Sequence, residues 1–179
     1  GVDTNVPKPM LIMGGGYDTC EDADPNTCTS TDKGNRIYVL DADTGSVLRT
    51  FNTDRGVVGD VFVVTNRTTG LAQWAYAADL GGNIYRISGV NANTALASTA
   101  PGSWTITKIA ALGCDSTATC TANRKFMFAP DVVVEPAPNS GTHILLIGSG
   151  DREKPLRDYT SAYGVSNYFF MLKDVPSDS

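Results

Sequence analysis

The sequence predicts an all-β protein built as part of a β-propeller, in blades of four antiparallel strands. Three observations carry this prediction. A pair of strands recurs three times, a Val-rich run precedes two of the copies, and no helical period persists along the chain. Repetition of a strand pair at a domain-scale interval is how stacked blades read in sequence.

The first copy runs through Leu11-Ile12-Met13-Gly14-Gly15-Gly16-Tyr17-Asp18, an apolar strand ending in an acidic turn, and resumes at Gly34-Asn35-Arg36-Ile37-Tyr38-Val39-Leu40-Asp41. Asp41-Ala42-Asp43-Thr44-Gly45 has the spacing of a calcium-ligand run, but Asp, Thr and Gly are the residues that close a bulged hairpin, and a strand over 46–51 follows. A second, whole blade is expected from strands near 60–64, 74–79, 83–88 and 104–111. Its first strand, in Gly59-Asp60-Val61-Phe62-Val63-Val64, reads as an innermost strand buried on both faces. Only Leu80, Gly81 and Gly82 separate Asp79 from Asn83, a tight hairpin with glycine available for a positive φ. The third copy has the same inner run, Pro130-Asp131-Val132-Val133-Val134-Glu135, then strands over 144–151 and 166–174. The expected division is a partial blade over 1–54, a full blade over 55–113 and a partial blade over 125–179, together a fragment of a larger propeller.

Where the middle blade has its tight hairpin, the outer two open into long polar inserts, 19–34 and 152–166. Inserts at equivalent positions of a repeat project from one face, the usual place for binding. In the second insert Asp151, Arg152, Glu153 and Lys154 offer charge-assisted contacts, and Tyr159 and Tyr163 offer aromatic anchors, so these six are the candidate partner-binding residues. A purely local role, Arg152 tying the loop to a nearby Asp, is the competing reading.

The 179 residues carry a net charge of -5 without a basic cluster, which argues against a nucleic-acid partner. No run is long and apolar enough to span a membrane. The four cysteines fall into two local pairs, Cys20 with Cys28 and Cys114 with Cys120. Three connectivities exist and proximity favours these two, which implies an oxidising compartment. Zinc fits neither spacing, and His143 is the one histidine, expected as a satisfied core residue at a strand entrance. Ser149 lies in Gly148-Ser149-Gly150 and lacks the nucleophile-elbow pattern, so no catalytic constellation is expected and the chain is read as non-enzymatic.

Asp18, Glu21, Asp22, Asp24 and Asn26 form the one candidate metal site, with calcium as the ion that such oxygens would hold. Against it, Thr27 and Lys33 stand where an EF-hand has its Gly and closing Glu, which favours a solvated, disulfide-closed turn. No other cofactor is expected.

Several segments in order resemble one family. Residues 34–48, 58–64, 76–87, Gly148-Ser149-Gly150-Asp151-Arg152-Glu153-Lys154-Pro155 and 167–174 are similar to the C-terminal propeller of the PilC/PilY type IV pilus tip-associated adhesin and biogenesis family. The resemblance covers nearly the whole chain, and the Gly-Asp-Arg-Glu-x-Pro segment is its most specific part. It implies a bacterial cell-surface or pilus-tip protein reached through the periplasm, minor pilins and the pilus tip as partners, host or abiotic surfaces as adhesion targets, and an adhesive N-terminal region outside this sequence. Many members of that family carry an Asp/Asn calcium loop directly after the inner strand. Here the position reads Thr65-Asn66-Arg67-Thr68-Thr69-Gly70-Leu71-Ala72, without carboxylates.

Two alternatives share the fold. Residues 40–48 are similar to a blade repeat of quinoprotein dehydrogenases, which hold pyrroloquinoline quinone, although Arg49 stands where those repeats commonly have Trp and an adjacent-cysteine pair is missing. A generic envelope-assembly propeller is the other alternative, and it would lack the Gly-Asp-Arg-Glu-x-Pro loop.

Overall fold

In a computed structural model, the structure describes residues 8–22, 27–29, 33–113, 123–136, 141–152 and 164–178. Among the described residues ten strands form three antiparallel sheets, taken here as blades A, B and C. Blade A comprises β1 (Met10–Gly14), β2 (Arg36–Asp41) and β3 (Val47–Asn52). Blade B comprises β4 (Phe62–Thr65), β5 (Ala72–Ala78), β6 (Asn83–Ser88) and β7 (Thr105–Ala111). Blade C comprises β8 (Asp131–Val134), β9 (His143–Gly148) and β10 (Phe169–Asp174). Sequential strands are neighbours throughout, so each blade is a meander. Among the described residues, no helix is long and apolar enough to cross a membrane.

The expected partial-propeller architecture is present, and the blades are incomplete in opposite ways. Pairing aligns β1, β2 and β3 with β5, β6 and β7, so blade A has no described counterpart of the inner strand β4. Likewise β8, β9 and β10 align with β4, β5 and β6, and blade C has no described counterpart of the outer strand β7. The inner strands depart from expectation. β4 turns Val63 to the A–B core and Phe62 and Val64 to the B–C core yet is only partly buried, and β8 turns Val132 and Val134 to the B–C core with Val133 exposed, whereas β6 is buried at every position.

Two apolar cores lie between the blades. Ile37, Val39 and Phe51 of blade A meet Ala75, Ala77 and Ile87 of blade B, with Val57 of the A–B linker between them. Tyr76, Ala78 and Ile84 of blade B meet Leu145 and Ile147 of blade C, with Phe126 of the B–C linker. Alternation explains the sharing: successive residues of β5 and β6 point to opposite faces, and a central blade buries both.

Turn chemistry holds the hairpins as expected. Asp41 accepts hydrogen bonds from the backbone N–H groups of Asp43 and Thr44, Gly45 has φ +71°, and a bulge falls at Val39/Leu40. Gly82 has φ +77°, and a Cβ there would lie 2.6 Å from Gly113 Cα and 2.7 Å from Arg124 O. Only glycine satisfies both constraints.

Candidate interaction face

The turn after each second strand has been turned into a polar anchor. In blade B, Asp79 Oδ1 accepts from the N–H groups of Gly81 and Asn83. Its Oδ2 accepts from Tyr85 OH at 2.8 Å and from Arg55 N in the A–B linker at 3.1 Å. Burial pushes the Asp79 carboxyl above its ordinary value while the Asn83, Tyr85 and Arg55 hydrogen bonds pull it back. Asp18 does the same job in blade A, accepting from Cys20 N and Lys33 N, and those backbone donors hold its pKa down.

The two inserts converge on the linkers. Glu21, in the short 3-10 turn Thr19–Asp22 of the first insert, is buried and pairs through both carboxylate oxygens with Arg55. Lys125, in the B–C linker, lies 3.9 Å from Glu21 and 3.2 Å from Asp151 at the start of the second insert. Acid and base thus alternate along Arg55, Glu21, Lys125 and Asp151, and buried charges of opposite sign are tolerated in that order because each neutralises its neighbour. Cys20–Cys28 is a disulfide, as the sequence predicts, and it closes the turn that carries Glu21. Disulfides persist in oxidising compartments.

The carboxylates of the candidate calcium loop that the structure describes all have partners within the protein. Asp18 holds backbone donors, Glu21 holds Arg55, and Asp22 accepts from Tyr17 OH at 2.8 Å. Asp24 and Asn26 lie outside the described residues, as do Cys114, Cys120, Glu153, Lys154, Tyr159 and Tyr163. Cys20, Glu21 and Cys28 are close enough to suggest a metal cluster, but the two sulfurs are spent on each other.

Arg152 stacks over the Phe128 ring, with its guanidinium carbon 5.4 Å from the centroid. These two, with Leu146, Gly148, Asp151 and Phe169, line an open groove of about 460 Å³ on the outer face of blade C. The face continues past the groove, with Phe169 72% and Met171 67% exposed. Aromatic and Met side chains beside a charged rim have the composition of a contact surface.

His143 and Ser149 are structurally committed. His143, buried at the start of β9 as expected, shares a 2.6 Å hydrogen bond between Nδ1 and Tyr76 OH. Tyr76 donates onward to Asp174, which also pairs with Arg86. Burial lowers the His143 pKa, partly offset by Asp174. Ser149 Oγ donates to Asn167 and accepts from Tyr168 N.

Sequence reasoning missed Arg55 and Lys125, the cations that join the inserts, and the groove residues Phe128 and Phe169. One signal was available: both linkers repeat an Arg-x-apolar triplet, Arg55-Gly56-Val57 and Arg124-Lys125-Phe126.

No protein-family model matches the sequence, and no curated protein matches it. Among solved structures the chain is similar to the Pseudomonas aeruginosa PilY1 C-terminal domain, with TM-score 0.51 and 20% identity. The match covers 79% of this chain and 29% of that one, so this chain spans under a third of the relative's length. At this identity the likeness establishes a PilY1-like β fold.

Proposed function

We propose that this chain is a propeller segment of a type IV pilus tip-associated protein of the PilC/PilY kind, acting as a scaffold that docks minor pilins or the pilus tip at the bacterial surface. The observation that carries the reading is the convergence of the two inserts. Blades A and C open at the same turn, and Lys125 ties the start of both inserts into one charged face. That face sits on a PilY1-like fold, and the Gly150-Asp151-Arg152 segment of the family resemblance stands on its rim. In this reading the chain is not an enzyme: its histidine is engaged between blades and Ser149 orders a turn. Calcium has no required part.

The experiment is genetic. In the source bacterium, deletion of the coding region for residues 8–178 is expected to reduce surface pili and twitching while the remaining protein stays at normal abundance. Unchanged piliation and motility would overturn the assignment.

A further inference from the structure

Lys125 holds an amine against a carboxyl group in a site closed to water. Its side chain is 4% exposed, and its Nζ lies 3.2 Å from Oδ2 of Asp151, whose side chain is 10% exposed. Glu21 is buried as well, with Oε2 3.9 Å from the same nitrogen. The two carboxyl groups differ in how they are held. Arg55 takes both oxygens of Glu21. Asp151 is held at one, since its Oδ1 is buried without a hydrogen-bond partner among the described residues.

The backbone fixes this arrangement from both sides. Lys125 O accepts from Gly150 N at 3.0 Å, one residue before Asp151. Phe126, the residue after Lys125, is fully buried and donates its N–H to Asp79 O at 3.3 Å. The amine and the carboxyl group therefore rise from chain segments clamped side by side. Groups held in this way react as if at a concentration on the order of 10⁵ M or more. Keeping opposite charges dry is costly, and a bond that consumes both removes that cost. Arg55 and Glu21 then remain as a balanced pair.

We propose that Lys125 and Asp151 condense to an intramolecular amide, a covalent tie between the B–C linker and the root of the second insert. The Lys125 ammonium passes a proton to Asp151 Oδ2, which leaves a neutral amine and a carboxylic acid. The nitrogen lone pair attacks Asp151 Cγ, and the carbonyl electron pair moves onto Oδ1. Glu21 accepts the next proton from the nitrogen and hands it to the Oδ2 hydroxyl. The Cγ–Oδ2 bond then breaks with its electron pair, Oδ2 departs as water, and the carbonyl re-forms at Oδ1. One C–N bond replaces one C–O bond, nothing is oxidised or reduced, and Glu21 ends as it began. A carboxylate beside the nitrogen is the base that this step requires. The tie is independent of the pilus assignment.

The test is the mass of the full chain, folded first and then denatured with its cysteines reduced. It should fall short of the sequence mass by one water. Trypsin followed by cleavage after Glu135 should leave fragments 125–135 and 136–152 joined, with the bond between Lys125 and Asp151. Lys125→Arg and Asp151→Ala each remove a reacting atom and should restore the full sequence mass. Glu21→Gln, held folded in sucrose beside the unaltered chain, should slow the condensation at least about a hundredfold. An unaltered chain at the full sequence mass overturns the proposal whatever the variants do. So does a water lost within one linear fragment, as from a cyclised Asp. Equally fast condensation in Glu21→Gln overturns the part given to Glu21.

Discussion

Tyr76 of blade B donates its phenolic hydrogen to Asp174 of blade C across a 2.6 Å contact, and the two residues are 98 positions apart in the chain. The same hydroxyl oxygen shares a hydrogen bond with His143, so Tyr76 completes a polar chain sealed inside an apolar interface. Removing one member of such a chain strands the others away from water.

Tyr76→Phe is therefore expected to destabilise the protein by about 1–3 kcal/mol, through the stranded His143 Nδ1 and Asp174 Oδ2 more than through the lost hydroxyl itself. Urea denaturation of both proteins at neutral pH measures the difference. A change near zero would mean that water replaces the hydroxyl.

Stability should fall on mild acidification because of His143. Its pKa in the folded protein is below the ordinary 6.5, so the unfolded chain binds the proton more readily. The neutral ring's contribution is full above about pH 6.5 and is lost as pH falls toward the lower folded value. Groups facing the ring are Tyr76, Trp74 and Asp174, with Arg86 next to Asp174 opposing a further positive charge. Denaturation midpoints between pH 7.5 and 5 should slope downward, and the slope should shrink in His143→Leu.

Breaking the buried ion chain should cost more than removing any one apolar contact. Glu21→Gln removes the buried carboxylate that Arg55 and Lys125 share, an expected loss of about 3–5 kcal/mol. Reducing Cys20–Cys28 frees the turn that carries Glu21, and the loop it closes predicts a loss of roughly 2.5 kcal/mol. The two losses should add to less than their sum, because both release the same turn.

Calcium should bind weakly to the oxidised protein. To ligate the ion, Glu21 would have to abandon Arg55 and Asp18 its backbone donors. Titration calorimetry should show no micromolar site, and Asp22→Ala should leave the result unchanged. A tight site unaffected by Asp22→Ala would place calcium elsewhere in the protein.

What the sequence determined by itself was local. Strand periodicity placed the three blades, and Asp41 to Gly45 and Asp79 to Asn83 declared their turns, because side-chain alternation and positive-φ glycines act within a few residues. The Cys20–Cys28 pair was legible for the same reason, its partners being eight positions apart. The exposure of β8 on one face was not legible, since a Val-rich run looks the same whether one face or two are covered. Nor could sequence pair Arg55 with Glu21 across 34 positions, His143 with Tyr76 across 67, or Tyr76 with Asp174 across 98. Those contacts exist because blade packing carries linkers and strand ends past one another, and a buried charge selects its partner from whatever the packing delivers.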